Sequence, residues 1–277
     1  MQKVPKSRIF SAIILAPLLV LAILYLNTHW LALMLGLVIC IAAWEWARMI
    51  NMRSSTSGIL YVGLVCILLG LAYYLLDSKG AWLVVLGAVF WWIFALFLVI
   101  AVQRQMLEMT KSRYYKALMG LFVLIPTWLS MVMLHHRGQQ GVILLVFLCV
   151  LVWIADISAY FAGRKWGERK LSVRISPGKS WEGVYGAIIA TMFYTLIYSI
   201  INSMQLIETT FFVTLCLVTT MASVLGDLME SLMKRAANVK DSGCLIPGHG
   251  GVLDRIDGLT AAGPIFVSGL LLTKLMP

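Results

Sequence analysis

Charge is what this 277-residue chain has least of. Asp, Glu, Lys and Arg together make up 12% of it, about half the share found in ordinary soluble domains. Hydrophobic residues reach 61% and mean hydropathy is +0.92. That balance excludes a conventional soluble fold and implies a polytopic membrane protein. Cysteine is also scarce: Cys40, Cys66, Cys149, Cys216 and Cys244 form no CxxC pair. Four of the five lie in apolar runs as small hydrophobes, which excludes a disulfide framework and a zinc site. Long polar stretches are missing too. At about 20 residues per span, eight or nine helices consume nearly the whole chain and leave no room for a separate soluble domain. A single membrane domain over 1–277 is expected, with N-terminal helices in 1–140 and the chemistry in 141–277.

The N-terminus, MQKVPKSRIF before an apolar run, imitates a signal peptide. The run is long and ends in LNTHW without a small-x-small cleavage site, so it reads as an uncleaved first span. Apolar segments fall near 9–27, 30–50, 58–76, 81–102, 117–135, 141–162, 183–203, 209–227 and 259–275. The expected fold is therefore all-α, with nine transmembrane helices. If the N-terminus is cytoplasmic and the helices alternate, nineteen of the 22 basic residues fall on the cytoplasmic side; Lys79, Arg137 and Lys274 are the exceptions. The positive-inside rule predicts such a bias, and it puts the C-terminus outside. The formal charge of +10 then follows from topology and from attraction to anionic headgroups. Spread over five loops, it argues against nucleic-acid binding.

Two of the cytoplasmic loops are chemically richer than the rest. The first follows the sixth span, WIADISAYFAGRKWGERKLSVRISPGKSWEG. Asp156, Tyr160, Gly163 and Arg164 share a helix face. An aspartate at membrane depth costs about 2.5–3.5 kcal/mol on insertion scales, so it usually faces a partner or a wet cavity. An ion pair of Asp156 with Arg164 or Arg235 is the plain alternative to a functional role. Further on, PGKS resembles the tail of a phosphate-binding loop. That motif needs a glycine where Val173 stands and a strand in front, and the reading is rejected. Ser176, Lys179 and Ser180 before a helix starting near Trp181 still suit an anion site at the helix N-terminus. Ser180 with Glu182 close behind equally suits helix capping.

The second loop follows the eighth span. Asp227, Glu230 and Lys234 form one stripe leading out of the membrane. Lys240-Asp241, a Pro-Gly turn, His249-Gly250-Gly251 and Asp254-Arg255-Ile256-Asp257 come next. Glycines beside the histidine admit close approach of backbone N–H groups to an anion. The aspartates are hard oxygen donors that suit Mg²⁺ bridged to phosphates, and the lysines and arginines suit phosphate oxygens. A basic, glycine-rich, solvated loop is the bland alternative. Phosphoryl or nucleotidyl transfer on a metal is the chemistry that uses the whole set. Lys179, Lys234, Arg235, Lys240 and Arg255 are candidates for phosphate contacts, and Ser176 for a hydrogen bond to one. Asp241 and His249 are candidates to orient their neighbours, with His249 also placed to protonate a leaving group.

The segment S-L-M-K-R-x4-K-D-x-G-x-x-I-P-x-H-G-G-V-x-D-R-I-D, Ser231 to Asp257, resembles the signature of the phosphatidate cytidylyltransferases of bacteria. SVLGDLMES, ADISAY…GR, SPGKSWEG and AAWEW around Glu45 are similar to further blocks of that family. The resemblance is densest between about 150 and 260. It implies transfer of a cytidylyl group from CTP to phosphatidic acid, giving CDP-diacylglycerol and pyrophosphate, in the cytoplasmic (inner) membrane. It also implies a Mg²⁺ centre on Asp227 and Asp254, with K⁺ as a companion ion, and is compatible with a homodimer among membrane lipids. Two rivals are weaker. The D-G-x-x-A-R pattern of CDP-alcohol phosphotransferases is missing, and a transporter reading lacks corresponding broken helices. Glu45 with Arg48 at i+3 reads as a helical ion pair.

Overall fold

The computed structural model describes residues 6–52, 54–109, 112–243, 245 and 250–273. Among them nine helices form in chain order: α1 (Lys6–Tyr25), α2 (Thr28–Met49), α3 (Ser55–Tyr74), α4 (Lys79–Gln103), α5 (Arg113–His136), α6 (Gly138–Trp166), α7 (Trp181–Ile201), α8 (Leu206–Ala236) and α9 (Leu253–Thr273). All but α1 are long and apolar enough over their described length to cross a membrane, and α1 is apolar over Ile14–Tyr25. The nine helices match the nine apolar segments of the sequence. Three run well past them. α6 continues to Trp166, α8 continues to Ala236, and α9 begins at Leu253. The extra turns carry charged residues: Lys234 of α8 reaches Asp254 of α9, whereas Arg164 of α6 donates to Tyr160 of its own helix.

Two short strands interrupt the helical pattern. β1 (Lys170–Ser172) and β2 (Ser176–Ser180) pair antiparallel, with Lys170 opposite Ser180 and Ser172 opposite Ser176. SPGKS, expected from the sequence to be a loop before a helix, is a strand of this hairpin. Ser180 ends β2 and caps α7, its hydroxyl accepting the Gly183 N–H at 3.2 Å, so the capping role is present. The hairpin is tied down at β1 and at its turn. Gln103 at the end of α4 donates to Leu171 O at 2.9 Å, and Arg235 near the end of α8 donates to Ile175 O at 3.2 Å. Ile175 itself is buried.

Helices α6 with α7, and α8 with α9, pack along each other most extensively. Their core is aromatic: Phe147 on α6 meets Tyr194 and Tyr198 of α7, Phe212 of α8 and Phe266 of α9, at centroid distances of 4.5–6.1 Å. Several polar groups buried between helices find partners on neighbouring helices, as a low-dielectric setting favours. Pro264 inside α9 lacks an N–H, so the carbonyl of Thr260 loses its helical donor. Thr127 Oγ1 on α5 offers one at 3.0 Å, its single hydrogen shared with Val123 O one turn back. Trp46 Nε1 and the Tyr61 hydroxyl donate to Lys116 O and Ala117 O in the first turns of α5, at 2.9 and 3.0 Å.

The bundle's two ends differ. One end carries a modest polar set: His135 at the end of α5 meets Thr28 Oγ1 and Ile23 O, and His136 meets Asp77. The other end gathers the C-terminal turns of α2, α4, α6 and α8, the N-terminal turns of α7 and α9, and the hairpin. Every candidate residue from the two polar loops within the described residues stands at this second end.

Candidate functional site

α8 leaves the apolar core with its polar stripe facing α9 and β2. Asp227, Glu230 and Lys234 lie on that face as the 3.6-residue period demands. The Lys179 side chain comes across from β2 and places Nζ 2.5 Å from Asp227 Oδ2. This single ion pair joins the two polar loops, which are some 50 residues apart in sequence. Asp156 of α6, Gly178, Lys179, Ser180 and Asp227 line a cavity of about 360 Å³ between α6, α7 and the hairpin. Neither ion pair considered for Asp156 forms among the described residues. Arg164 instead donates to the Tyr160 hydroxyl at 3.0 Å, and Arg235 serves the hairpin.

One turn further along α8, Lys234 Nζ sits between two carboxylates, 2.8 Å from Glu230 Oε2 and 2.6 Å from Asp254 Oδ1. All three side chains are largely buried, at 13%, 4% and 8% exposure. Asp254 Oδ2 accepts three more bonds: from Ser242 N at 2.9 Å, Ser242 Oγ at 2.9 Å and Gly251 N at 2.8 Å. Lys234 is thus a bridge between α8 and α9 in this arrangement, and Asp254 ties the loop after α8 to the start of α9.

Carboxylate oxygens of Asp227, Glu230 and Asp257 all lie within 4.8 Å of one another. The acids fall at i and i+3 on α8 and on the first turns of α9. Glu230 and Asp257 were not singled out as ligands in the sequence. The signal was present in the i, i+3 spacing of Asp227 and Glu230, but the approach of Asp257 depends on how α9 crosses α8. Glu230 Oε1 is buried and has no hydrogen-bond partner among the described residues. An ionised oxygen in that position is costly unless a cation or a proton meets it.

The remaining candidates distribute as follows. Ser176 opens β2. Lys240 and Asp241 are exposed on the segment after α8, where Asp241 borders a second cavity of about 640 Å³. Arg255 is exposed on the first turn of α9. His249 lies outside the described residues. Glu45, read from the sequence as a partner of Arg48, is 4% exposed and does something else. It accepts from Val252 N at 2.9 Å, Leu253 N at 2.9 Å and Ser242 Oγ at 3.0 Å.

Taken together, the arrangement is a nest of carboxylates at one end of the bundle, bordered by two lysines and opening to a cavity at the polar end. It can hold a hard cation and receive an anionic ligand. The model of the Cytidylyltransferase family matches residues 6–272. The phosphatidate cytidylyltransferase of Pseudomonas aeruginosa is 39% identical over 264 residues, covering 95% of this chain and 96% of that protein. The phosphatidate cytidylyltransferase of Haemophilus influenzae is 37% identical, covering 94% and 96%. The protein of the same name from Thermotoga maritima is 41% identical over 117 residues, or 41% of this chain and 43% of that one.

Proposed function

The chain belongs to the cytidylyltransferase family, and we propose that it transfers the cytidylyl group of CTP to phosphatidic acid, releasing pyrophosphate and forming CDP-diacylglycerol. The observation that carries the reading is the Lys179–Asp227 contact. It brings a cation from the hairpin onto the carboxylate nest, so that both polar loops serve one site. Membrane helices surround that site, which suits one substrate with its chains in lipid and another arriving from water. The positive-inside distribution supports a cytoplasmic orientation, and with it a bacterial inner-membrane location where CTP is available.

In the proposed reaction a phosphate oxygen of phosphatidate attacks the α-phosphorus of CTP. A new P–O bond forms and the bond to the β-phosphate oxygen breaks, leaving with pyrophosphate. The attacking oxygen is already an anion near neutral pH, so the obstacle is repulsion between two anions. Lys179, half-buried at the cavity wall, is placed to offset it. Arg255 and Lys240, exposed on the same end, are candidates for phosphates arriving from solvent. Ser176 and Arg235 frame the hairpin that carries Lys179. Lys234 keeps Glu230 and Asp254 apart from each other's charge. His249 and Asp241 remain proposed as orienting groups.

The residues present fit a divalent metal. Three carboxylates converge, one buried oxygen among them has no partner among the described residues, and all donors are hard oxygens of the kind Mg²⁺ takes. Asp227, Glu230 and Asp257 would hold it. Asp254, assigned with Asp227 by the family resemblance, remains proposed as a further ligand beside them; in this structure it accepts from Lys234. K⁺ beside it is proposed on the resemblance alone. When bound, the metal supplies positive charge for the developing negative charge of the transition state. Radiolabelled CTP, phosphatidate and Mg²⁺ incubated with the purified protein test the function. Labelled CDP-diacylglycerol is expected; its absence with the protein folded would refute the proposal.

A further inference from the structure

The first turn of α9 presents a problem that its own sequence does not solve. A helix N-terminus leaves N–H groups without intrahelical partners, and Gly250-Gly251-Val252 ahead of Leu253 offers no side-chain oxygen to cap them. Two carboxylates take the task. Asp254 reaches back to Gly251 N at 2.8 Å. The N–H groups of Val252 and Leu253 go to Glu45, some 200 residues away on α2, each at 2.9 Å. Backbone crowds this acid so closely that a Cβ at Gly243 or Gly251 would collide with its carboxylate. A buried carboxylate whose donors among the described residues are neutral is at home here, because the positive end of the α9 dipole points at it.

Glu45 is also joined to the carboxylate nest. Ser242 Oγ lies 3.0 Å from Glu45 Oε2 and 2.9 Å from Asp254 Oδ2, so one hydroxyl hydrogen is shared between the two acids. Asp254 in turn holds Lys234, and Asp257 follows one turn later in α9.

We propose that Glu45 is a positioning residue for the transfer site. From α2 it fixes the start of α9, and through Ser242 it fixes Asp254, so that the acids of α9 stand correctly against Asp227 and Glu230 of α8. This gives the N-terminal half of the chain a part in the chemistry without touching substrate. The inference rests on the nucleotidyl-transfer reading above.

The test is Glu45→Gln, which keeps the volume but turns an N–H₂ group toward backbone N–H donors. Purified wild type and variant are compared in detergent at a temperature where both are folded. The assays measure kcat and KM for CDP-diacylglycerol formation, and Mn²⁺ binding to the resting protein by electron paramagnetic resonance. Loss of an outer partner of a metal-site carboxylate typically lowers affinity or activity about 10–100-fold. Expected are a fall of that size in kcat, a KM for phosphatidate within about twofold of wild type, and Mn²⁺ affinity lowered at least about tenfold. A role in stability alone would lower the melting temperature and leave kcat and Mn²⁺ affinity at wild-type values, which would overturn the inference. Should Glu45→Gln fail to fold, Ser242→Ala decides: a roughly tenfold loss of kcat supports the link, and a wild-type kcat overturns it. Wild-type protein that binds Mn²⁺ but forms no CDP-diacylglycerol would instead refute the transfer reading itself.

Discussion

Lys234→Met is the substitution for which the structure gives the firmest expectation. The ammonium group sits 2.8 Å from Glu230 Oε2 and 2.6 Å from Asp254 Oδ1, with little exposure of any of the three groups. At an effective dielectric constant of about 20 each contact is worth roughly 6 kcal/mol of gross attraction. Much of that offsets desolvation, which costs several kcal/mol per buried ion. The net effect of deleting the cation is therefore set by what remains, two carboxylates facing each other without compensation. Removing one partner of a buried pair typically costs about 3–5 kcal/mol. At about 2–4 °C per kcal/mol for a chain near this size, the melting temperature should fall by roughly 6–20 °C.

The assay is thermal unfolding in detergent, followed by loss of the monodisperse peak, with and without Mg²⁺. A divalent ion bound to the neighbouring acids restores positive charge where the lysine was. Mg²⁺ should therefore raise the melting temperature of Lys234→Met by more than it raises that of wild type. Replacing Glu230 as well, in Lys234→Met/Glu230→Gln, should recover part of the loss, because one of the stranded charges goes with it. A single variant melting within about 2 °C of wild type, on the scale just used, would refute the buried-triad reasoning. Equal Mg²⁺ stabilisation of variant and wild type would refute the claim that metal and lysine answer the same negative charge.

Asp227→Asn should insert and fold normally yet lose most CDP-diacylglycerol formation; near-normal turnover of the purified variant would remove Asp227 from the metal centre. Lys179→Ala should slow turnover by a factor of about ten to a thousand, the range for losing one charge-stabilising donor, and an unchanged rate across CTP concentrations would leave β2 a purely structural strand. Thr127→Val leaves the carbonyl opposite Pro264 without its donor and should destabilise by about 1–3 kcal/mol, measured by thermal unfolding, with KM for both substrates unchanged. A reporter fused to the C-terminus should lie outside the cytoplasm, and a cytoplasmic signal would refute the orientation inferred from the loop charges.

How far the sequence could be read depended on the distance over which each residue finds its partner. The nine helices were legible because each carries its own apolar signal. The ends of α8 and α9 were not. Hydropathy drops where Asp227, Glu230 and Lys234 enter, and a drop reads as the edge of a span. On α8 those residues continue the helix, because Lys179 and Asp254 meet them from other elements. SPGKS was read as a loop for a similar reason: proline and glycine argue against a strand locally, while Gln103 and Arg235 hold the hairpin from outside.

Glu45 marks the limit most clearly. Within its own helix the only visible partner was Arg48, and an i+3 ion pair was the natural reading. Its actual donors lie 197 to 208 residues ahead, where no periodicity can point. The reverse clue was in the other segment. A helix beginning after Gly-Gly-Val, with no capping side chain of its own and its start buried against the bundle, has N–H groups that must be satisfied from elsewhere. An acid placed at the end of a distant apolar helix is then a natural candidate for the cap. The motif that carries the chemistry could be found on its own terms, but the residue that holds it in place could be found only by asking what the motif lacks.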